Sequence, residues 1–471
     1  MNAPLRRSFV LVLLLFGSLV FATSWWTVFA AEGLRENPRN RRPLLEEERI
    51  DRGRILARDR QVLARSVPRS GKRFSRAYPT GELFSHVVGY SYTSIGRAGL
   101  EKSLNDPLIG RRTELIGVLD SLLGEDRLGD DVTTTLDAEA QRVALELIGD
   151  RRGSVVALDN DTGDVLVMAS TPGFDPNVVD EPERFRELNR DDSAPLLNRA
   201  TQGLYPPGST MKVVTAAAAL DSGRYTPGSP VNGRNGKVIS GVPLNNFGNA
   251  DYGDISLTDA LTQSVNTVWA EVGVEMGRRR MREYMERFGF YADPPVDLPS
   301  DELFASGVYK RGRLLEPTDR AVDVGRMAIG QGDLLATPLQ MASVAQTVAN
   351  GGVRLQPRLV RRIVDPDGRT IDEPAPERAE RVISRKTASE LAAMMRNVVA
   401  EGTGTAAALE GVEVAGKTGT AELNIEQRIN QPWFIGFTSR VSVAVTVERV
   451  VAGSGGTVAA PIAKAVLEAL E

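Results

Sequence analysis

From Ser8 to Ala31 the chain runs 24 residues without a charge, SFVLVLLLFGSLVFATSWWTVFAA. At about 1.5 Å per residue a helix of that length reaches about 36 Å, enough to cross a hydrocarbon core of about 30 Å. Arg6 and Arg7 precede it, and Trp25 and Trp26 near its far end suit a membrane–water interface. A cleaved leader is the competing reading, with Val28-Phe29-Ala30 as a tolerable cleavage site. The apolar run is longer than a leader's core, so it is read as an uncleaved anchor. Arg35, Arg39, Arg41 and Arg42 follow the span and outnumber the arginines before it, against the positive-inside rule. That rule is weak for long translocated domains, and 440 residues follow with no second span. The bulk of the chain is therefore expected outside the cytoplasm, on a single membrane pass.

The remainder is globular material. Apolar residues make up 42% and charged residues 25% of the 471, room for two to four domains at roughly 100–200 residues each. Net charge is −4, so no cationic excess exists to neutralise nucleic-acid phosphates, and nucleic acid is not an expected partner. Cys is absent, which removes thiol catalysis, disulfides and Cys-based metal sites. The single histidine, His86, cannot build a multi-histidine metal site, and it reads as a packed or surface residue. Nucleophilic chemistry here needs a base other than the imidazole of a Ser–His–Asp set. Only eight of the 57 basic residues are lysines. Arg fills cationic positions by default, so a Lys inside a motif points to a need for a compact, deprotonatable amine.

Glu32 to about Arg49 is charged and Pro-punctuated, like a stalk, and Ile50 to Asp130 mixes short β-like runs with Gly and Pro. Leu136, Ala140, Val143, Ala144, Leu147 and Ile148 repeat with a helical period that Gly149 closes. Ser154–Leu158 and Val165–Ala169 flank a turn at 160–163 and read as a β-hairpin. Trp433–Thr438 and Val441–Glu448 read as a second strand pair, and Pro461–Leu470 as a closing helix. Strand groups flanked by terminal helices, around a long helical middle, predict an α/β sandwich with both termini on one face. The expected division is an anchor at 1–31, a small α+β membrane-proximal module at 32–130 and a C-terminal domain at 131–471.

Three motifs carry chemistry. Tyr205-Pro206-Pro207-Gly208-Ser209-Thr210-Met211-Lys212 leads into a helix that is apolar nearly all round. Ser209 lies in its first turn, where free N–H groups favour a developing anion, and Lys212 is three residues on, on the same face. A poorly hydrated lysine is disfavoured as ammonium, and the neutral amine can take a serine proton. Ser264-Val265-Asn266 offers a hydroxyl to relay a proton and an amide to grip a peptide bond. Lys417-Thr418-Gly419-Thr420 is strand-like, and Lys417 with two threonine hydroxyls makes a compact carboxylate site. Gly416 and Gly419 are expected to let a substrate chain approach the strand.

Gly411 to Thr418 also satisfies the phosphate-binding pattern G-x-x-x-x-G-K-[ST]. That loop must open a helix, and here no long helix precedes the Trp433 strand. The ATPase reading is therefore set aside.

Ser209-x-x-Lys212, Ser264-x-Asn266 and Lys417-Thr418-Gly419 stand in that order, 55 and 153 residues apart. The set resembles that of the penicillin-recognising serine acyltransferases. Arg52-Gly53-x-Ile55 with Leu63-Ala64, and Gly99-Leu100-Glu101, resemble the early module of class B penicillin-binding proteins. Ala328 to Gly332 and Thr337 to Met341 resemble their transpeptidase domain, and Pro195 to Thr201 with Leu204 to Thr210 is especially similar to an actinobacterial branch. Arg60-Gln61 stands where relatives commonly show Asn-Gly, which puts the turn there in question.

The resemblance implies a fold of five antiparallel strands sandwiched by helices, plus an all-helical subdomain. It implies a D,D-transpeptidase that cross-links peptidoglycan in division or growth. Ser209 would attack the penultimate D-Ala of a stem peptide, Lys212 would act as base, and Ser264 with Lys417 would return a proton to the departing D-Ala. Backbone N–H groups of Ser209 and Thr420 would form the oxyanion hole. Thr418, Gly419 and Thr420 would line the terminal-carboxylate site, and Asn266 would contact the peptide amide. β-Lactams would leave Ser209 acylated. No metal or cofactor is implied, and a SEDS-type glycosyltransferase and divisome proteins are the implied partners. A serine β-lactamase needs neither anchor nor module, and a β-lactam sensor would carry more spans or a cytoplasmic effector. A bifunctional class A enzyme would need more room before Val132, and a dead scaffold would lack a motif residue.

Overall fold

The computed structural model describes residues 3–25, 47–111, 128–316 and 318–471. Trp26, the Val28-Phe29-Ala30 site, Arg35, Arg39, Arg41, Arg42 and the stalk up to residue 46 lie outside them. Helix α1, Ala3–Ser24, carries the uncharged run from Ser8 as far as Ser24, and its Arg6–Ser24 stretch is long and apolar enough to cross a membrane. None of that stretch is buried against the protein, which suits a lipid-facing segment.

The module that follows is built on short strands. These are β1 (Ile55–Leu56), β2 (Val62–Arg69), β3 (Arg73–Ala77) and β4 (Asp131–Thr134). β1 pairs antiparallel with β2 and parallel with β4, and β3 closes one edge. Strands from far along the chain, Val360–Val364 and Thr370–Asp372, extend the same sheet beyond β4. The turn in question at Arg60-Gln61 is made: Arg60 takes a left-handed φ of +70° and its N–H donates to Ala57 O at 2.9 Å. His86 is packed. Its Nε2 donates to Pro195 O at 2.8 Å, and burial pulls its imidazole down to about 4, so it is neutral.

Buried charge also ties the module together. Glu101 is fully buried between Arg52, 2.7 Å away, and Arg76, 2.5 Å away. Burial pushes its carboxyl up, but Arg76 and then Arg52 outweigh that and leave it below the ordinary carboxylate value. Both resemblance motifs of the module therefore meet at one carboxylate.

The C-terminal domain begins with α2 (Ala138–Ile148), which starts two residues later than the periodicity predicts. Asp137 accepts from Glu139 N and Ala140 N and so caps the helix at that point. Five strands, β5 (Gly153–Asp159), β6 (Val165–Thr171), β7 (Ala415–Asn424), β8 (Ile429–Phe437) and β9 (Val441–Val447), form the main antiparallel sheet in the order β7-β8-β9-β5-β6. Val155 and Ala157 of β5, and Val441, Val443 and Val445 of β9, pack on one face with α2 and α3 (Ala460–Leu470). Val156, Leu158 and Ala444 alternate onto the other face, against the helices of the chain's middle. Because both faces are covered, these strands read as unbroken apolar runs. The middle is mostly helical, fringed by hairpins such as Lys237–Ile239 with Val242–Leu244. Lys417 and Thr418 lie inside β7, paired with Ile435 and Phe434, so this segment is strand and not a phosphate loop opening a helix.

Candidate active site

Ser209 sits in a single 3-10 turn, Gly208–Met211, that runs directly into the buried helix Lys212–Asp221. Gly208 is left-handed at φ +54°, and its N–H donates to Gly330 O at 2.9 Å. A side chain on Gly330 would collide with Gly208. Trp433 of β8, fully buried, donates from Nε1 to Pro206 O at 3.0 Å. The serine-bearing turn is thus clasped between the Gly330 loop and the sheet.

The Gly416 and Gly419 expectation changes here. A side chain at 419 would meet Pro207 O at 2.8 Å and Thr210 Cγ2 at 3.0 Å, and one at 416 would collide with the Phe434 ring. Both glycines make room for protein. Gly419 lets β7 lie against the turn that carries Ser209.

Ser264 joins two helices, Leu257–Thr262 and Asn266–Arg287, with a left-handed φ of +58°. A serine in that region carries strain of roughly 1–2 kcal/mol, the kind of conformation that persists where surroundings over-determine it. Two lysines meet at its hydroxyl. Lys212 Nζ lies 3.2 Å from Ser264 Oγ, and Lys417 Nζ lies 2.9 Å from it. Lys212 Nζ also donates to Ser264 O and to Asn266 Oδ1, each at 2.7 Å. Lys417 Nζ donates to Thr418 O at 2.9 Å. Asn266 Nδ2 donates to Asn245 O at 3.0 Å, which fixes which way its amide points.

Both lysines are completely buried, and among the described residues no carboxylate bonds to either. Burial first, and the charge of Lys417 second, hold the Lys212 amine well below the ordinary lysine value. Burial alone pulls Lys417 down to about 7. A neutral amine has two N–H groups and one lone pair. The two acceptors at 2.7 Å occupy both N–H groups of a neutral Lys212, so its lone pair is left for a hydroxyl proton. Ser209 Oγ, half-buried, makes no hydrogen bond to another described residue, so Ser209 and Lys212 are three residues apart in sequence and not hydrogen-bonded to each other. Such contacts commonly tighten only with substrate in place.

Thr418 is buried and its Oγ1 lies 2.5 Å from Thr403 Oγ1, while Thr420 Oγ1 accepts from Gly455 N at 3.1 Å. No sequence pattern assigns Gly330, Trp433 or Thr403 to the site, although Trp433 reads as a strand residue. The segment around Gly330 carries a family resemblance, but no spacing rule links it to Gly208, and Gly402-Thr403-Gly404 carries no chemical signature at all.

Fold and site together define a serine acyltransferase whose candidate base is an amine. Residues 153–468 match the model of the penicillin-binding protein transpeptidase domain, and residues 52–132 match that of the penicillin-binding protein A dimerisation domain. The chain belongs to the penicillin-binding protein transpeptidase family. It is 36% identical to the peptidoglycan D,D-transpeptidase PbpA of Mycolicibacterium smegmatis, over 100% of this chain and 99% of that one. PbpA of Mycobacterium tuberculosis is 35% identical over the same shares. Among solved structures, penicillin-binding protein A of M. tuberculosis as a ceftriaxone acyl-enzyme complex superposes with a TM-score of 0.82 at 32% identity, covering 90% of this chain and 99% of that one. A D,D-transpeptidase domain from Eggerthella lenta gives 0.78 at 33% identity, covering 90% and 98%.

Proposed function

We propose that this protein cross-links peptidoglycan as a serine D,D-transpeptidase, through an acyl-enzyme on Ser209. Neutral Lys212 accepts the Ser209 proton as Oγ attacks the penultimate D-Ala carbonyl of a donor stem peptide. The N–H groups of Ser209 and Thr420 stabilise the oxyanion. The C–N bond to the terminal D-Ala then breaks, and Ser264, backed by Lys417, returns a proton to the leaving amine. An acceptor amine attacks the ester and frees Ser209. Thr418 and Thr420 hold the donor's terminal carboxylate beside Gly419, and Asn266 orients both Lys212 and the peptide amide. β-Lactams enter as donor mimics.

What carries this reading is the convergence of two buried, carboxylate-free lysine amines on the Ser264 hydroxyl. Hydrolysis of the ester, as in class A β-lactamases, uses a carboxylate acting through water, and no such group bonds these residues among those described. The domains are proposed as cytoplasmic stub and anchor 1–31, pedestal 32–130 and transpeptidase 131–471, with α1 crossing once and the catalytic domain outside the cytoplasm. A SEDS-type glycosyltransferase and divisome proteins are the proposed protein partners. The test is a fluorescent penicillin label on the full-length protein, together with mass spectrometry of products from a pentapeptide donor and an amine acceptor. A covalent label lost in Ser209→Ala, with cross-linked product, is expected. A label retained in Ser209→Ala would refute it.

A further inference from the structure

Thr403 lies 15 residues before Thr418, on the loop between Arg385–Ala400 and β7, and its side chain is exposed to solvent. Its hydroxyl is the one hydrogen-bond partner of Thr418 Oγ1 among the described residues, at 2.5 Å. The loop is fixed from three sides. A side chain on Gly402 would meet Thr262 O at 2.5 Å, Gly404 N donates to Val398 O at 2.9 Å, and a side chain on Gly456 would meet Thr403 O at 2.6 Å. The backbone that presents the Thr403 hydroxyl to Thr418 is therefore held in place by its neighbours.

A hydroxyl has one proton and two lone pairs. Of two hydroxyls this close, one donates and the other accepts. If Thr418 donates to Thr403, Thr418 turns lone pairs toward the site and repels an anion. If Thr403 donates, the Thr418 proton is free to point at a carboxylate oxygen, and the chain of two hydrogen bonds polarises each. Solvent reaches Thr403 and can satisfy its vacant lone pairs in that arrangement, whereas buried Thr418 has no such recourse.

We infer that Thr403 is a positioning residue for the carboxylate end of the donor: it donates to Thr418 and so aims the Thr418 hydroxyl at the substrate's terminal carboxylate. This rests on the transpeptidase reading above. It predicts that Thr403 matters in proportion to the negative charge on the ligand.

The test compares acylation of the full-length protein by benzylpenicillin with acylation by its carboxamide, in which the carboxylate is neutral. The unaltered protein should prefer the acid. Thr403→Val, which keeps the shape and removes the hydroxyl, should shrink that preference about tenfold, the order expected for weakening one charge-assisted hydrogen bond. Amide acylation should be unchanged, and Thr403→Ser should restore the preference. An unchanged preference in Thr403→Val overturns the inference. So does an equal drop for acid and amide, which would mark a merely structural role. If the unaltered protein is not acylated by either compound, the transpeptidase reading itself has failed, a result distinct from both.

Discussion

The protein buries charge in two places and handles it in opposite ways. In the N-terminal module, Arg52 and Arg76 close on Glu101 in paired, opposite charges. In the catalytic region, Lys212 and Lys417 close on a neutral hydroxyl, with no carboxylate among the bonded groups. Desolvation acts on both clusters alike. In the first it is offset by opposite charge, so the groups become structural. In the second it is not offset, so both amines are pulled below the ordinary lysine value, as the proposed base requires. Whether a buried charge builds or reacts is decided by its partner, more than by its depth.

The largest effect should separate the two clusters by activity. Ser209→Ala and Lys212→Arg should each lower β-lactam acylation by about a thousandfold or more, measured as stopped-flow or gel-based labelling rates. Arg fails because its guanidinium keeps its proton and has no space beside Ser264. Near-normal labelling of Lys212→Arg would end the role proposed for that amine. Glu101→Gln should do the converse. It strands two buried guanidiniums and should destabilise the fold by about 3–5 kcal/mol, read as a lower denaturant midpoint. The molecules still folded should acylate at the usual rate.

Lys417→Met should lose acylation yet gain about 1–2 kcal/mol of stability, because a solvation penalty disappears with the amine. The gain depends on pH. An unfolded lysine holds its proton up to about 10.4, whereas folded Lys417 releases it at about 7. Between those values the unfolded chain binds more protons, so stability of the unaltered protein rises with pH. The advantage of Lys417→Met should therefore be full below about 7 and shrink toward pH 10. Acylation by the unaltered protein should rise with pH on the acid side as the lysines become neutral. Glu101 works with the other sign: its depressed carboxyl supplies stability above the ordinary carboxylate range, which is lost only as acid protonates it. Melting curves across pH distinguish the two.

How much of this could be read from the chain follows the same division. The apolar runs at 154–158 and 441–447 revealed their strands because both sheet faces are covered, and the Ser209, Ser264 and Lys417 motifs were visible as local patterns. What the patterns lacked was contact. Arg52 and Glu101 are 49 residues apart and Thr403 and Thr418 are 15 apart, and nothing local links either pair. Gly416 and Gly419 stood out as glycines, but which surface they cleared, substrate or protein, is a question of tertiary packing. Leu136 keeps the apolar period and so predicts a start for helix α2 two residues early, while Asp137 intervenes as a cap.

The smallest expected effect lies at the module's hairpin. Arg60 is exposed and left-handed, with φ +70°, in the turn where Ala57 N donates to Gln61 O at 2.9 Å and Asp59 Oδ1 accepts from Gln61 N at 3.0 Å. An arginine Cβ resists that conformation by roughly 1–2 kcal/mol, whereas Asn tolerates it through its short polar side chain. Arg60 forms no ion pair among the described residues, so replacing it removes no partner. Arg60→Asn should therefore stabilise the protein by about 0.5–1 kcal/mol, while Arg60→Gly should gain less, because glycine gives the unfolded chain more freedom to lose. Neither should change acylation. The ordering Asn above Gly above Arg in melting temperature is the outcome to check. Arg equal to Asn would mean the hairpin relaxes without strain and the turn is set by Asp59 alone.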